Sequence, residues 1–175
     1  MIRNERLRML PRKCNRRLRY GWAVAIPAQI VKEILIEAPI EDVWRVVTEP
    51  DQITQWFSQE AELERRTDGA GRLRFESGQT YYLHVEAFDP PRRFAYRWLH
   101  ERGTSARPEN SMLVEFILHA EAGHTRLRVV ESGFDQVDWT DEEKVRYLEE
   151  HSRGWQVILE QLRDYAPRAN TTARE

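Results

Sequence analysis

The sequence predicts an α+β fold of the helix-grip type, in which a curved antiparallel sheet of about six to seven strands wraps on one long C-terminal helix and two short helices close one end. Two observations lead to this prediction. Residues 140–165 carry apolar side chains at three- and four-residue steps, the period of an amphipathic helix. Most of residues 30–134 instead consists of short β-branched and aromatic stretches separated by Gly- and Pro-rich turns, which is typical of an antiparallel meander.

The first predicted elements are one strand and two short helices. Residues 30–37 form a β-branched run that predicts a strand. Pro39 then opens a short helix that carries Trp44, because proline is favoured at the first helical position. A second helical turn follows and carries Trp56 and Phe57.

Six further strands are predicted in the middle of the chain, each ending at a turn. They are residues 60–66, 72–76, 80–88, 93–100, 112–118 and 125–132. For the strand at 80–88 the alternation does not decide which face points inward. Its two candidate faces are Tyr81, Leu83 and Val85 on one side and Tyr82, His84 and Phe88 on the other.

The predicted long helix has a clear start and a clear end. Thr140 and Glu143 have the spacing of a capping box, in which each side chain accepts a hydrogen bond from the other residue's backbone N–H. Pro167 is expected to stop the helix. Gly154 lies inside it at a cost of about 1 kcal/mol relative to Ala, and we interpret it as a close approach of the sheet or of a short helix.

Charge divides the chain into an N-terminal extension and a folded body. Residues 1–29 carry eight basic side chains against one acidic side chain, a formal charge of +7, whereas the remainder carries 19 basic and 28 acidic side chains, a formal charge of −9. An acidic body argues against nucleic acid as a partner of the folded domain. We therefore predict a disordered basic extension at 1–29, a single domain at 30–166 and a disordered tail at 167–175.

Two other interpretations of the extension stay open. Arg16 and Arg17 precede a short apolar run as in an export signal, but Pro27 closes that run early. The basic side chains would also suit a membrane surface or a nucleic acid. Cys14 is the sole cysteine, so no disulfide forms within one chain and a reducing cytoplasm is the expected compartment. No apolar run has the length of a transmembrane helix.

Several stretches of the body match a known family in order and spacing. They are Val43-Trp44 after Ala38-Pro39, Trp56-Phe57 after Thr48-Glu49-Pro50, residues 89–98, residues 123–134, and residues 151–155 with Leu159 and Leu162. On these stretches the chain resembles the homologues of the heat-shock protein 90 ATPase activator, in the SRPBCC (START-like, Bet v 1-like) superfamily. The resemblance implies the helix-grip fold and an apolar cavity. It does not imply one activity, because the superfamily includes lipid carriers, hormone receptors, polyketide aromatases and cyclases, and a co-chaperone domain.

Glu131 and His151 are the candidates for acid–base chemistry. Glu131 shares strand parity with Leu127 and Val129, so its carboxylate is expected to face the core, where it needs hydrogen-bond donors. His151 is expected on the cavity side of the long helix, and a His–Glu pair in one pocket could move protons. The alternatives are that Glu131 is solvated or tied to a structural partner, and that His151 is a structural residue.

Aromatic side chains are expected to supply the walls of a ligand pocket, although each of them could simply fill the core. The complete set of candidate ligand-binding residues is Trp44, Trp56, Phe57, Phe75, Leu83, Val85, Tyr96, Trp98, Glu131, His151, Trp155 and Leu159. No metal is assigned because the histidines lack ligand spacing, and no cofactor is assigned because phosphate-loop and dinucleotide motifs are absent from the sequence.

Three functions follow from these features. The leading one is the binding of a small hydrophobic or amphipathic ligand between the long helix and the sheet. The second is an enzyme of the polyketide aromatase/cyclase type, which is less favoured because no strong catalytic constellation is present. The third is a chaperone-regulating interaction domain. The expected partner is a small apolar molecule, and a homodimer stays open.

Overall fold

The computed structural model describes residues 27–99 and 105–169. The predictions for Cys14, for most of the basic extension and for residues 170–175 lie outside the described residues. Within them, seven strands and three helices follow one another: β1 (Gln29–Ile36), α1 (Ile40–Thr48), α2 (Pro50–Ile53), β2 (Glu60–Leu63), β3 (Ala70–Arg74), β4 (Thr80–Asp89), β5 (Arg93–Leu99), β6 (Met112–Glu121), β7 (His124–Ser132) and α3 (Asp141–Ala169).

The seven strands form one antiparallel sheet in the order β1-β7-β6-β5-β4-β3-β2. Strands β2 to β7 are therefore a meander, and β1 returns to pair with β7. The turn between β6 and β7 places Ala122 and Gly123 at positive φ, 44° and 88°, the backbone conformation that joins two strands by a tight hairpin. With α3 packed across the sheet and α1 and α2 at one end, the predicted α+β helix-grip fold is confirmed.

The open question about the inward face of β4 is resolved by a β-bulge. Tyr81, Leu83 and Val85 are buried, but the pairing with β5 shifts between Val85 and Ala87. The extra residue at position 86 reverses the alternation, so Phe88 pairs with Phe94 and its ring lies 6.1 Å from that of Phe94. Members of both candidate faces therefore point into the same core.

The capping box at the start of α3 is confirmed, whereas the predicted end of the helix is wrong. Thr140 Oγ1 accepts from the Glu143 N–H at 3.2 Å, and the Glu143 carboxylate accepts from the Thr140 N–H at 2.8 Å. The helix continues through Pro167 to Ala169. Packing outweighs the lost hydrogen bond there, because Ala166 is fully buried and Tyr165 donates to Gln52 across to α2.

The core lies between α3 and the concave face of the sheet. Helix α3 contributes Leu148, Trp155, Leu159, Leu162 and Ala166, all buried at three-, four- or seven-residue steps. None of the helices in the described part of the chain has the length and apolar character needed to cross a bilayer.

Candidate functional site

Glu131 carries its charge into the interior of the protein. It lies on β7 between Ile30 of β1 and Val114 of β6, and its side chain is 0 % exposed. Its inward direction follows from the strand alternation it shares with Leu127 and Val129, both buried. A carboxylate in such a place is stable only if hydrogen-bond donors replace the water it has lost.

Three donors from α3 converge on that carboxylate. The Tyr147 hydroxyl donates to Oε1 at 2.8 Å, and the Trp155 indole N–H donates to Oε2 at 2.7 Å. His151 Nδ1 lies 3.1 Å from Oε1 and 3.2 Å from Oε2. The three residues are spaced by four along the helix, so they form one stripe that faces Glu131.

This arrangement fixes the tautomer of His151. A carboxylate can only accept hydrogen bonds, so His151 Nδ1 carries the proton and donates it. In the neutral ring Nε2 is then the lone-pair nitrogen, and it has no hydrogen-bond partner among the described residues. The ring itself is held by stacking on Tyr147, with centroids 3.6 Å apart, and by the edge of Trp98 at 5.5 Å. The hydrogen bond and the two ring contacts hold the imidazole in one orientation.

The tyrosines around Glu131 keep their protons at neutral pH. Burial raises the pKa of Tyr147 well above its usual range and the charge of Glu131 adds to the rise, while the Trp98 side chain acts in the opposite direction. Burial and then Glu131 likewise raise the pKa of Tyr96. The pKa of Tyr81 is raised by burial and by Glu131, and a hydrogen bond with Gln79 lowers it. All three are therefore neutral hydroxyl groups.

A cavity of about 600 Å³ lies next to this cluster, between α3 and the turn that joins β3 to β4. Its walls are mainly aromatic and include Phe57, Phe75, Tyr81, Trp98, Trp139 and Trp155. Tyr147 and His151 complete the wall on the helix side, and the exposed residues Glu143, Arg146 and Glu150 form the rim. The volume lies within the range typical of small-molecule sites.

The structure divides the predicted site residues into two groups. The cavity is lined by Phe57, Phe75, Trp98, His151 and Trp155. Glu131 does not line it but is hydrogen-bonded to two of these residues, His151 and Trp155. The others lie in the packed core and do not line it: Trp44, Trp56, Leu83, Val85, Tyr96 and Leu159. Several of these surround an inner void of only about 10 Å³.

Two helix residues have roles that differ from their sequence interpretation. The close approach predicted at Gly154 is wrong, because a Cβ added there would meet no atom within 4 Å, and the residue lines the cavity. Tyr147 was missing from the predicted site although it donates to Glu131. The signal for it was the four-residue spacing from His151 and Trp155, which places three donors on one stripe.

No three histidine, cysteine, aspartate or glutamate side chains within residues 27–99 and 105–169 are grouped so that they could hold a metal ion.

Comparison with known proteins places the chain in a family. Residues 37–166 match the family model described as Activator of Hsp90 ATPase homolog 1-like protein. No curated protein matches the chain.

Solved structures share the fold over most of their length. The structure is similar to protein MLL2253 from Mesorhizobium loti with a TM-score of 0.67 and 22 % identity, covering 80 % of this chain and 97 % of that one. For protein BH1534 from Bacillus halodurans the TM-score is 0.64 and the identity 27 %, over 79 % and 96 % of the two chains. For the Aha1 dimer from Colwellia psychrerythraea the values are 0.63 and 20 %, over 80 % and 96 %.

Proposed function

This chain belongs to the family of Activator of Hsp90 ATPase homolog 1-like proteins, and we propose that it binds a small hydrophobic or amphipathic molecule in the cavity between α3 and the sheet. The observation that carries the proposal is the cavity of about 600 Å³, whose walls are mainly aromatic and whose polar side chains come from α3 and from the turn between β3 and β4. Sites for small molecules combine these same properties, since the apolar walls supply affinity and the few polar groups fix orientation.

Gly154 offers a way to narrow the cavity without replacing any of its polar residues. An added side chain at this position projects into open space, so Gly154→Leu is expected to occupy part of the cavity and to improve helix propensity. Gln156→Leu introduces the same side chain at an exposed position of the same helix and serves as the control.

The proposal is tested by native mass spectrometry on protein purified from its own host. We expect the wild type and Gln156→Leu to carry a co-purifying small molecule and Gly154→Leu to lack it. An equal amount of bound molecule in all three proteins would show that the cavity is not the binding site, and the absence of any molecule from the wild type would count against a carrier that retains its ligand.

A second candidate function is acid–base catalysis, and the lone-pair nitrogen of His151 is the observation that favours it. His151 Nε2 is unpartnered, its ring is held from two sides, and Nδ1 is bonded to a buried carboxylate. Such a pair can take a proton from a bound carbon acid, with Glu131 stabilising the imidazolium that forms.

The base can be tested with 5-nitrobenzisoxazole, an aromatic probe that opens to a cyanophenolate when a base removes its ring C–H proton. If His151 acts as a base, His151→Gln should lower the rate of opening roughly a hundredfold. Glu131→Gln should lower it less, because the imidazole remains. A wild-type rate equal to that of His151→Gln would exclude this function for His151.

A homodimer is a further proposal, supported by the dimer of the Colwellia Aha1 structure and by apolar residues at the free edge of the sheet. Val31 and Leu35 on β1 are 40 % and 43 % exposed. Sedimentation equilibrium of the wild type and of Leu35→Lys tests it, with a dimer expected for the first and a monomer for the second. A monomeric wild type would refute it.

A further inference from the structure

Two hydrogen-bond donors in the interior between α3 and the sheet have no acceptor among the described residues. The carboxylate of Glu131 is already occupied by its three partners from α3. The two unpaired donors lie on the inward face of β5, the hydroxyl of Tyr96 and the indole N–H of Trp98, with ring centroids 6.0 Å apart. Both atoms are buried and neither makes a hydrogen bond within the described residues.

Tyr96 is the stronger of these two observations. Tyr96 lines the inner void of about 10 Å³ together with apolar residues and Trp56, whose N–H is satisfied by the Val46 carbonyl at 3.1 Å. A buried water needs two to four polar partners, and among the side chains that line this void only the Tyr96 hydroxyl is left without one. Native proteins rarely keep such an unpaired buried hydroxyl without a reason.

Trp98 is the second buried donor without an acceptor. It lines the outer cavity, and its N–H lies near enough to the Tyr147 hydroxyl to lower the pKa of that group, but not in hydrogen-bond geometry. An indole N–H can only donate. A molecule that relieves this donor must bring an acceptor atom.

Phe57 separates the two spaces. Among the described residues, Phe57 alone lines both the outer cavity and the inner void, and its side chain is only partly buried. It lies in the turn that follows α2 and contacts Phe75 and Trp155 through ring edges and faces at 5.5 and 5.6 Å. Rotation of this one ring would therefore open a path from the outer cavity to the void that Tyr96 lines.

We infer that the molecule bound in the cavity carries a carbonyl oxygen, which passes Phe57 and accepts a hydrogen bond from the Tyr96 hydroxyl. The ligand class is an apolar, ring-containing ketone, aldehyde or ester. A carbonyl oxygen has two lone pairs and no proton, so it complements donors that lack acceptors. An alcohol oxygen can accept as well, but its own proton is a further donor that needs an acceptor in the same place. This inference rests on the proposed binding function and names the chemistry of its ligand.

A pair of probes that differ only in the carbonyl group tests it. The dissociation constants of 2-acetylnaphthalene and of 2-ethylnaphthalene are measured with the wild-type protein by quenching of tryptophan fluorescence. A single net hydrogen bond predicts that the ketone binds roughly three- to tenfold more tightly. Equal affinities would overturn the carbonyl inference and leave the binding function intact, whereas no binding of either probe would overturn the binding function itself.

Tyr96→Phe identifies the donor. This variant keeps the ring and removes only the hydroxyl, so it should bind both naphthalenes equally. The control is Tyr82→Phe, which removes a hydroxyl from the outward face of β4 and should keep the preference for the ketone. A preference that persists in Tyr96→Phe would overturn the assignment.

The thermal midpoint of the unliganded variant gives an independent check. Removal of an unpaired buried hydroxyl should leave the midpoint of Tyr96→Phe unchanged or raise it. A clear fall in the midpoint would show that the hydroxyl has a partner in the free protein, and the inference would then fail.

Discussion

The space between α3 and the sheet has two ends that are built from the same kinds of residue and packed in different ways. At the end covered by α1 and α2, aromatic rings fill the volume: Trp44 contacts Phe88 at 5.1 Å, and only about 10 Å³ is left nearby. At the other end, rings of the same types surround about 600 Å³. Aromatic content therefore does not decide whether this fold is filled or hollow.

Two features keep the second end open. Gly154 contributes no side chain to a wall where there is room for one. The carboxylate of Glu131 holds Tyr147, His151 and Trp155 by hydrogen bonds, so these rings are fixed in place and cannot collapse into the cavity. The buried charge is thus a device that maintains the shape of the site, because each ring that left its position would break a bond to a charged group.

The two ends should differ most in how far the free energy of unfolding falls when a side chain of α3 is truncated to alanine. Leu162 is fully buried, and Leu162→Ala should lower the free energy of unfolding by about 2–5 kcal/mol. Ile158 is partly buried and lines the open cavity, so Ile158→Ala should cost only about 1 kcal/mol. Urea unfolding of both variants measures the difference, and similar losses would mean that the two ends are packed alike.

The next effect concerns the buried carboxylate. Glu131→Gln replaces an acceptor of three hydrogen bonds with an amide whose NH2 group must face one of the donors, and should lower the free energy of unfolding by about 1–3 kcal/mol. Glu62→Gln breaks an exposed ion pair with Arg72 and should change it by less than about 0.5 kcal/mol. If both substitutions have the same small effect in chemical denaturation, Glu131 does not organise the site.

Filling the open end slightly should stabilise the protein. Gly154→Ala removes the helix penalty of glycine and meets no atom, so the free energy of unfolding should rise by about 1 kcal/mol. Thermal unfolding monitored by circular dichroism measures the change. A loss of stability would indicate that the backbone at this position is approached closely after all.

The smallest effect appears only in alkaline solution. Because the pKa of Tyr147 is raised in the folded state, its contribution to stability is complete below the unfolded pKa of about 10 and is lost as the pH rises above it. At pH about 10.5 the wild type should therefore have lost roughly 0.8 kcal/mol more, relative to neutral pH, than Tyr147→Phe has. Urea unfolding at the two pH values gives this difference, and parallel pH profiles would contradict it.

The sequence predicted the fold well because the relevant signals are local. The capping box at Thr140 lies within four residues, and the strands alternate over short stretches. The direction of Glu131 followed from the same alternation. The bulge at position 86 and the passage of α3 through Pro167 depend on pairing and packing with distant residues, so no local pattern contains them.

The sequence could not predict which part of the interior is filled and which part is open, for a similar reason. Trp98 and Trp44 are equally aromatic and equally buried, and only the tertiary packing decides that one lines the cavity and the other does not. The prediction of a close approach at Gly154 was wrong because a glycine in a helix can mark either a close neighbour or an open space, and the sequence does not distinguish the two. The spacing of Tyr147, His151 and Trp155 did contain the donor stripe, which becomes recognisable once a buried acceptor is placed opposite it.

The indole N–H resonances test most directly that the body of the ligand lies in the open cavity and not among the rings around Trp44. In a titration with 2-acetylnaphthalene followed by ¹⁵N–¹H correlation spectra, the indole signals of Trp98 and Trp155 should shift, because both rings line the cavity, and the signal of Trp44 should stay in place. A shift of Trp44 equal to that of Trp98, or a saturating titration in which neither Trp98 nor Trp155 moves, would contradict the account.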